Sequence, residues 1–305
     1  MLERIGNTPL IELRSIVPEK SARILIKIES ENPTGSMKDR MALAMIEAAE
    51  RDGRLARGGS VVEYTGGSTG VSLAFICAAK RYPLHIVTSD AFSLQKRDHM
   101  RALGAELSLV KSIGGGMDEA LTRNMIELAR QIRERTGAFW TDQLKNADQL
   151  GAYHAMGEEI WRQTEGRVDA FVQCVGTAAS VRGVAESLRG KRSGIHIVAV
   201  EPAESAVLSG HKTGVHKIEG IGAGFVVPLW GPGVISEIAT VSTEEAMGMA
   251  RRLAREEAIF AGTSTGANLV AALRVAERLG TGATVVTVMC DSGMKYLGTD
   301  LYRGG

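Results

Sequence analysis

The sequence predicts an α/β protein of two domains, each built on a mostly parallel, twisted sheet flanked by helices. Short apolar segments alternate with longer segments of helical periodicity along almost the whole chain, which is typical of parallel sheets covered on both faces. The 305 residues are enough for two domains or one large one. A polar stretch at 141–148 interrupts the alternation, and we place the domain junction there.

The first predicted strand, 23–29, leads into a turn and then a helix. Residues 32–35 contain Asn, Pro and Gly, which favour a turn, and apolar residues then recur at helical spacing over 37–51. Ser36 and Asp39 have the spacing of a capping box at the helix start, although Glu or Gln is usual at the second position.

The remaining elements follow in alternation, and the loops after the strands are where we expect the chemistry, because ligands of open α/β sheets lie beyond the carboxyl ends of the strands. Strands are predicted at 60–64, 84–89, 105–110, 170–175, 195–200 and 284–289, and helices at 71–80, 94–103, 114–135, 148–164, 181–188, 243–257 and 267–279.

Composition excludes several classes of function. With 36 Lys and Arg against 35 Asp and Glu, the net charge is +1, so neither a nucleic acid nor an acidic membrane is expected as the main partner. Residues 1–6 lack the apolar region of a signal peptide, and no apolar run reaches the ~18 residues that span a bilayer. Cys77, Cys174 and Cys290 each lie in apolar stretches, which favours buried free thiols and a cytoplasmic location over a thiol nucleophile. The histidines lack metal-ligand spacing, so no metal is expected.

Lys38 is the candidate for a reactive amine. It lies in the first turn of the predicted helix, where the unpaired N–H groups disfavour a second positive charge. Such a lysine loses its proton more easily, and a neutral amine can attack a carbonyl to form a Schiff base. A solvated surface lysine is the alternative interpretation.

Three segments rich in glycine and hydroxyl side chains are predicted to be loops. Two of them follow predicted strands, and the third lies in the second half of the chain. Residues 65–70 and 176–180 each open a predicted helix, where backbone N–H groups bind anions, and 220–225 contains three glycines. Tight packing alone also explains such loops. No Gly-Lys-Ser/Thr follows Gly70, which argues against a nucleotide-hydrolysing P-loop. One activated lysine, two anion sites and a glycine-lined slot suit a phosphorylated aldehyde cofactor. Near the end, Ser292 either caps a turn or faces a ring nitrogen.

Four motifs, in this order, resemble the cysteine synthase / cystathionine β-synthase family of pyridoxal-phosphate enzymes, which have the tryptophan-synthase-β-like fold. They lie at 5–10, 32–40, 220–225 with Pro228, and 291–293 with Tyr296 and Leu297, and the resemblance covers nearly the whole chain. It implies a smaller substrate-side domain, 1–12 and 35–146, and a larger cofactor-phosphate domain, 13–34 and 147–305. Family members are usually homodimers, so we expect one here.

The resemblance also implies a role for each motif residue. Lys38 would carry pyridoxal 5′-phosphate as an internal aldimine and act as catalytic base in β-replacement. An activated serine, O-acetylserine or O-phosphoserine, would lose its β-substituent through an aminoacrylate, to which sulfide or a related nucleophile adds. The other implied cofactor contacts are Ser68, Gly176, Thr177, Ala178, Ala179, Ser180, Gly222 and Ser292, and the implied substrate contacts are Thr65, Gly66, Ser68, Thr69 and Gln143.

The loop at 65–70 departs from the family pattern. Gly66 replaces the usual Ser, and Ser68 replaces the Asn that usually contacts the cofactor's 3′-oxygen. Two alternatives to a cysteine-synthase-like enzyme therefore stay open. One is a β-eliminating lyase or dehydratase of the same fold. The other is a non-catalytic sensor homologue that associates with a regulatory protein partner.

Overall fold

The computed structural model describes residues 1–113, 115 and 118–303, and these contain ten strands and nine α-helices. The strands are β1 (Leu10–Glu12), β2 (Arg23–Ile28), β3 (Val61–Tyr64), β4 (Leu84–Ser89), β5 (Glu106–Val110), β6 (Phe139–Trp140), β7 (Ala170–Cys174), β8 (His196–Pro202), β9 (Glu237–Val241) and β10 (Thr284–Met289). The helices are α1 (Lys38–Asp52), α2 (Ser68–Lys80), α3 (Leu94–Ala102), α4 (Glu119–Thr136), α5 (Gln149–Gln163), α6 (Ala179–Lys191), α7 (Thr243–Glu256), α8 (Thr263–Leu279) and α9 (Asp300–Arg303).

The strands form two separate sheets. The larger has the order β1-β2-β10-β7-β8-β9, and all its neighbours are parallel except β1, which is antiparallel to β2. The smaller has the order β5-β4-β3-β6 and is parallel throughout. Every residue of β3, β7 and β10 is buried, as expected for strands covered by helices on both faces. The predicted α/β fold with two mostly parallel sheets is confirmed.

Strong hydrophobic periodicity located most elements to within a few residues. Three strands were not predicted, because β1 and β6 have only three and two residues and β9 is partly exposed. Of the glycines predicted to open the helix at 114, Gly114 and Gly116 lie outside the described residues. The helix itself begins at Glu119, and the Asp118 carboxylate accepts a hydrogen bond from Leu121 N at 2.7 Å.

The predicted capping box at the start of α1 is wrong. Met37 occupies the N-cap position, and the Ser36 hydroxyl accepts from Lys38 N at 3.2 Å instead of from the third residue of the helix. The Asp39 carboxylate turns back to Thr34, where it accepts from the backbone N at 2.8 Å and from Oγ1 at 2.5 Å. Asp is one methylene shorter than the Glu that normally reaches back in this motif.

One part of the predicted domain division disagrees with the strand pairing. Leu10–Glu12, predicted to belong to the smaller domain, pairs with β2 in the larger sheet, from Leu10 opposite Lys27 to Glu12 opposite Leu25. The other domain limits stay a prediction.

A buried ionic network ties α1 to both neighbouring elements. The Arg40 guanidinium binds the carboxylates of Glu29 at 2.7 Å and Glu159 at 2.8 Å, and Lys27 Nζ lies 2.7 Å from Glu159. Arg40 is 5% exposed and Glu29 is fully buried. The network joins the end of β2, the start of α1 and the middle of α5, and it therefore holds in place the helix that begins at Lys38.

We expect Arg40→Met to lower the free energy of unfolding by about 3–5 kcal/mol, because the buried Glu29 carboxylate would lose its ion-pair partner and Glu159 would keep only Lys27. Urea denaturation followed by circular dichroism measures this value. Arg54→Met is the matched control, since Arg54 is largely exposed and its ion pairs are solvated. Equal losses in the two variants would show that the buried network has no special role.

Candidate active site

Lys38 lies where the end of β10 meets the start of α1. Met37 N donates to Cys290 O and Ser292 N donates to Gly35 O, each at 2.9 Å, and Ser36 forms an antiparallel bridge with Asp291. Because β10 lies between β2 and β7 inside the larger sheet, this pairing places Lys38 at the carboxyl edge of the sheet. That edge is where ligands of α/β sheets bind.

The Lys38 side chain faces two adjoining cavities. It is partly buried, and it lines both a cavity that we call the cofactor-side cavity and one that we call the substrate-side cavity. Burial lowers the pKa of the Lys38 amine below that of an ordinary lysine. The direction agrees with the expectation from the sequence, but burial replaces the helix terminus as its main cause.

The cofactor-side cavity is bounded by the loop between β7 and α6. Gly176, Thr177 and Ser180 line it together with Lys38. A Cβ added at Gly176 would lie 2.5 Å from Gly220 O, so only glycine allows the two loops to approach this closely. Ala178 has φ +69°, a conformation that costs an L-residue ~1–2 kcal/mol. The surrounding structure therefore imposes a loop shape that presents the amides at the start of α6 as an anion site.

Ser292, predicted to face a ring nitrogen, does not line either cavity. Its hydroxyl accepts from Met294 N at 3.3 Å and caps a short 3₁₀ turn. Ser264, in the first turn of α8, lines the cofactor-side cavity with Lys38 instead. The sequence did contain a signal for it, since 262–266 (Gly-Thr-Ser-Thr-Gly) has the same small and hydroxyl composition as the loops at 65–70 and 176–180.

Gly222 lies beside the cofactor-side cavity without lining it. Its N donates to Val175 O at 3.1 Å and its φ is +65°, so it fastens the glycine loop to the end of β7. Gly220 and Ile221 line the cavity in its place.

The substrate-side cavity brings together all five residues predicted to bind a substrate carboxylate. Thr69 Oγ1 donates to Gln143 Oε1 at 2.8 Å, and Gln143 Nε2 donates to Tyr64 O at 2.6 Å. The loop ends at the first residues of α2, so its amides again lie at a helix N-terminus. The five predicted residues, all of which line this cavity, are Thr65, Gly66, Ser68, Thr69 and Gln143.

Glu63 supports this cavity from behind and was absent from the predicted site. Its fully buried carboxylate accepts from Thr141 Oγ1 at 2.5 Å, Gln143 N at 2.9 Å and Tyr64 N at 2.8 Å. Burial raises the pKa of Glu63 to about 7, although these hydrogen bonds oppose the rise. The carboxyl group holds Gln143 against the loop at 65–69.

Two glycines of the loop at 65–70, the altered Gly66 and the unaltered Gly67, make room for neighbouring side chains. A Cβ at Gly66 would lie 2.7 Å from the Phe92 ring, and a Cβ at Gly67, which has φ +142°, would lie 2.3 Å from Lys96 Cδ. Phe92 and Lys96 line the same cavity. Lys96 Nζ also forms an ion pair of 2.7 Å with Glu219, a residue next to the glycine loop. The space that a serine side chain would occupy at position 66 is therefore taken by an aromatic ring.

Cysteine and metal chemistry find no support in the described residues. Cys77, Cys174 and Cys290 are free and buried, as predicted, and burial raises the pKa of each thiol, that of Cys290 to about 11. Within 1–113, 115 and 118–303, no group of three or more His, Cys, Asp or Glu is placed to hold a metal ion. None of the described helices has the length and apolar character needed to cross a bilayer.

The site has the parts that pyridoxal phosphate requires. Lys38 offers an amine of lowered pKa, the loop 176–180 offers an anion site shaped by a strained backbone, and Ser264 offers a neutral hydroxyl. The three lie around one cavity. Fold and site together define an α/β enzyme that uses a phosphorylated aldehyde cofactor.

Comparison with known proteins identifies the family. The family of pyridoxal-phosphate dependent enzymes matches residues 1–291, and the chain belongs to it. A cysteine synthase of Staphylococcus aureus is 42% identical over 300 residues, which cover 98% of this chain and 95% of that protein. The crystal structure of a cysteine synthase from Entamoeba histolytica superposes with a TM-score of 0.91 at 39% identity, over 99% of this chain and 90% of that one. An O-ureido-L-serine synthase structure gives 0.93 at 34% identity, over 99% and 94%.

We expect Gly66→Ala to lower the free energy of unfolding by about 1–3 kcal/mol, because the added Cβ overlaps the Phe92 ring. In a Phe92→Leu background the same substitution should cost less, and urea denaturation of the four proteins measures this coupling. Gly248→Ala is the matched control, since an added Cβ there meets nothing within 4 Å. A Gly66→Ala cost that is unchanged in the Phe92→Leu background would contradict the interpretation.

Proposed function

We propose that this cysteine-synthase-like enzyme replaces the β-substituent of an activated L-serine, O-acetylserine or O-phosphoserine, with sulfide or a related nucleophile. One observation carries the proposal: Lys38 lines both the cavity with the anion loop 176–180 and the cavity with the loop 65–69. An amine at that junction can serve a cofactor on one side and an amino acid on the other. The similarity to the cysteine synthases of Staphylococcus aureus and Entamoeba histolytica supports the same reaction.

The two alternatives have less support. The changes at Gly66 and Ser68 motivated a non-catalytic sensor, but Phe92 fills the space at Gly66 and the cavity at Lys38 is retained. A β-eliminating lyase would share the same site, and the comparisons do not favour it. The similarity to an O-ureido-L-serine synthase shows that this fold also makes other serine derivatives, so the nucleophile is best decided by kinetics.

The chain would hold the cofactor through three groups. The Lys38 amine takes the aldehyde, the amides and hydroxyls of Gly176, Thr177, Ala178, Ala179 and Ser180 take the phosphate, and Ser264 meets the ring nitrogen. When bound, the cofactor withdraws electrons from the substrate's Cα, which makes the Cα proton removable and the β-substituent easy to expel. A serine hydroxyl at the ring nitrogen, unlike a carboxylate, does not force that nitrogen to stay protonated.

The substrate would be oriented by the loop at 65–69. Its amides at the start of α2, with the Thr65 and Thr69 hydroxyls and the Gln143 amide, bind the substrate carboxylate. Lys38 would be the base that removes the Cα proton, since it alone among the described lining residues combines a lowered lysine pKa with access to both cavities.

We also propose the finer assignments that the sequence suggested. The protein works as a homodimer in the cytoplasm, acts on a small amino acid and a small sulfur nucleophile, and uses neither nucleic acid nor a membrane. A regulatory protein partner is part of this proposal. The balanced net charge of +1 supports the absence of a nucleic-acid or membrane partner, and the three buried free thiols support the cytoplasmic location.

The proposed reaction is tested by loading the protein with pyridoxal phosphate and adding serine, O-acetylserine and O-phosphoserine in turn. We expect a change in the absorption spectrum with at least one activated serine, and an amino-acid product only after sulfide is added. Borohydride should attach the cofactor to Lys38 at pH values below those that ordinary lysines require, because burial lowers the pKa of its amine. Peptide mapping supplies the control, because Lys295 is also buried, with a pKa lowered to about 8. Label on Lys295, or keto acid formed without sulfide, would contradict the proposal.

We expect Ser264→Ala to weaken pyridoxal-phosphate binding by about fivefold, the effect of losing one hydrogen bond. Equilibrium dialysis of the apoprotein measures the dissociation constant. Ser292→Ala is the matched control, because the same atom is removed from a hydroxyl that caps a turn and lines neither cavity. If Ser292→Ala weakened binding and Ser264→Ala did not, the assignment of the ring-nitrogen contact would be reversed.

A further inference from the structure

Ser68 is held by a buried carboxylate. Its hydroxyl donates to Asp291 Oδ2 at 2.8 Å, and the Tyr296 hydroxyl donates to the same oxygen at 2.9 Å. Ser68 is the first residue of α2, beside the smaller sheet, whereas Asp291 follows β10 of the larger sheet. The contact therefore crosses between the two sheets, and it leaves Ser68 without a second proton to donate.

Loss of the hydrogen bond between Ser68 and the Asp291 carboxylate would be costly. Asp291 is 4% exposed, and within the described residues its Oδ1 has no hydrogen-bond partner. If Ser68 turned away, the buried carboxylate would keep only Tyr296. Hydrogen bonds to a charged acceptor are stronger than those between neutral groups, and an unsatisfied buried charge is costly. The Ser68 hydroxyl proton therefore points to Asp291, and the lone pairs of the Ser68 oxygen face the cavity.

Ser68 also occupies a defined place relative to the proposed cofactor, and this step rests on the proposed function. In pyridoxal phosphate the aldehyde carbon lies between the phosphate-bearing arm and the 3-oxygen. If Lys38 takes the aldehyde and 176–180 takes the phosphate, the 3-oxygen lies on the opposite side of the aldehyde. Among described residues, the polar side chains that line both cavities are Lys38, Ser68 and Thr177, and Thr177 belongs to the phosphate loop. Ser68 is left to face the 3-oxygen.

We propose that Asp291 is a positioning residue that fixes the Ser68 hydroxyl as a hydrogen-bond acceptor toward the 3-oxygen of the bound cofactor. With pyridoxal phosphate bound, one proton would be shared between the 3-oxygen and the Lys38 nitrogen. An acceptor beside the 3-oxygen favours the form with the proton on that oxygen, which absorbs at shorter wavelength. A donor would favour the form with the proton on the nitrogen, which absorbs at longer wavelength.

The test compares absorption spectra of the pyridoxal-phosphate-loaded protein and its variants at fixed pH. We expect Ser68→Ala to raise the ratio of the long-wavelength to the short-wavelength band about fivefold, the effect of one lost hydrogen bond. Asp291→Asn should shift the ratio in the same direction, because an amide can donate to Ser68 and release its O–H toward the 3-oxygen. Neither readout depends on turnover.

Thr287→Val is the matched control for a lost buried hydroxyl. Thr287 Oγ1 donates to Val172 O at 2.8 Å, and the residue lines neither cavity, so its loss should leave the ratio unchanged. An unchanged or lowered ratio in Ser68→Ala, or an equal rise in Thr287→Val, would overturn the inference. A wild-type protein that shows no cofactor band at all would instead overturn the proposed function, and this inference with it.

Discussion

The backbone pairing between Gly35–Met37 and Cys290–Ser292 is the constraint on which the rest of the site depends. It joins two segments about 250 residues apart, with Ser36 and Cys290 separated by 254 positions, and it puts the first residue of α1 at the carboxyl edge of a central strand. This backbone pairing therefore determines which loops surround Lys38. Burial at this position lowers the pKa of the Lys38 amine. A local helix terminus would not by itself achieve this.

Two kinds of feature organise the surroundings of Lys38. Buried carboxylates hold its neighbours in place, and close glycine contacts shape the cavities. The Arg40 network fixes the start of α1, and Glu63 fixes Gln143, each through buried carboxylates that are saturated with donors. Close approaches that only glycine permits, such as Gly176 against Gly220 O, then shape the cavities. Where the loop at 65–69 lacks a side chain, Phe92 supplies one from another element. The unusual loop is thus packed differently, with Phe92 beside Gly66, and the substrate-side cavity is retained.

How much could be predicted depends on whether the information was local. Helices and strands with clear periodicity were predicted, because their signals lie within a few residues. Lys38 and the loop 176–180, which also have local signals, line one cavity as expected. Glu63 was not predicted, because its role arises from hydrogen bonds to Thr141 and Gln143, which are distant in the sequence. Ser264 was not predicted either, although 262–266 has the small and hydroxyl composition of the other two loops. The Ser36 capping box failed because Thr34, buried nearby, offered Asp39 better donors. Ser292 lines neither cavity although it lies in a matching motif, because a motif indicates that a segment is important and does not indicate which of its side chains faces a ligand.

The most direct test of this account is a crystal structure of the protein grown with pyridoxal phosphate. The account predicts electron density continuous from Lys38 Nζ to the cofactor, with the phosphate against the amides of 176–180 and Ser264 at the ring nitrogen. It also predicts that Ser68 faces the 3-oxygen of the cofactor, whereas Thr65, Gly66 and Thr69 stay free for the amino-acid substrate. A cofactor with its phosphate against 65–69, or bound away from Lys38, would contradict the central claim that this single amine joins the two cavities.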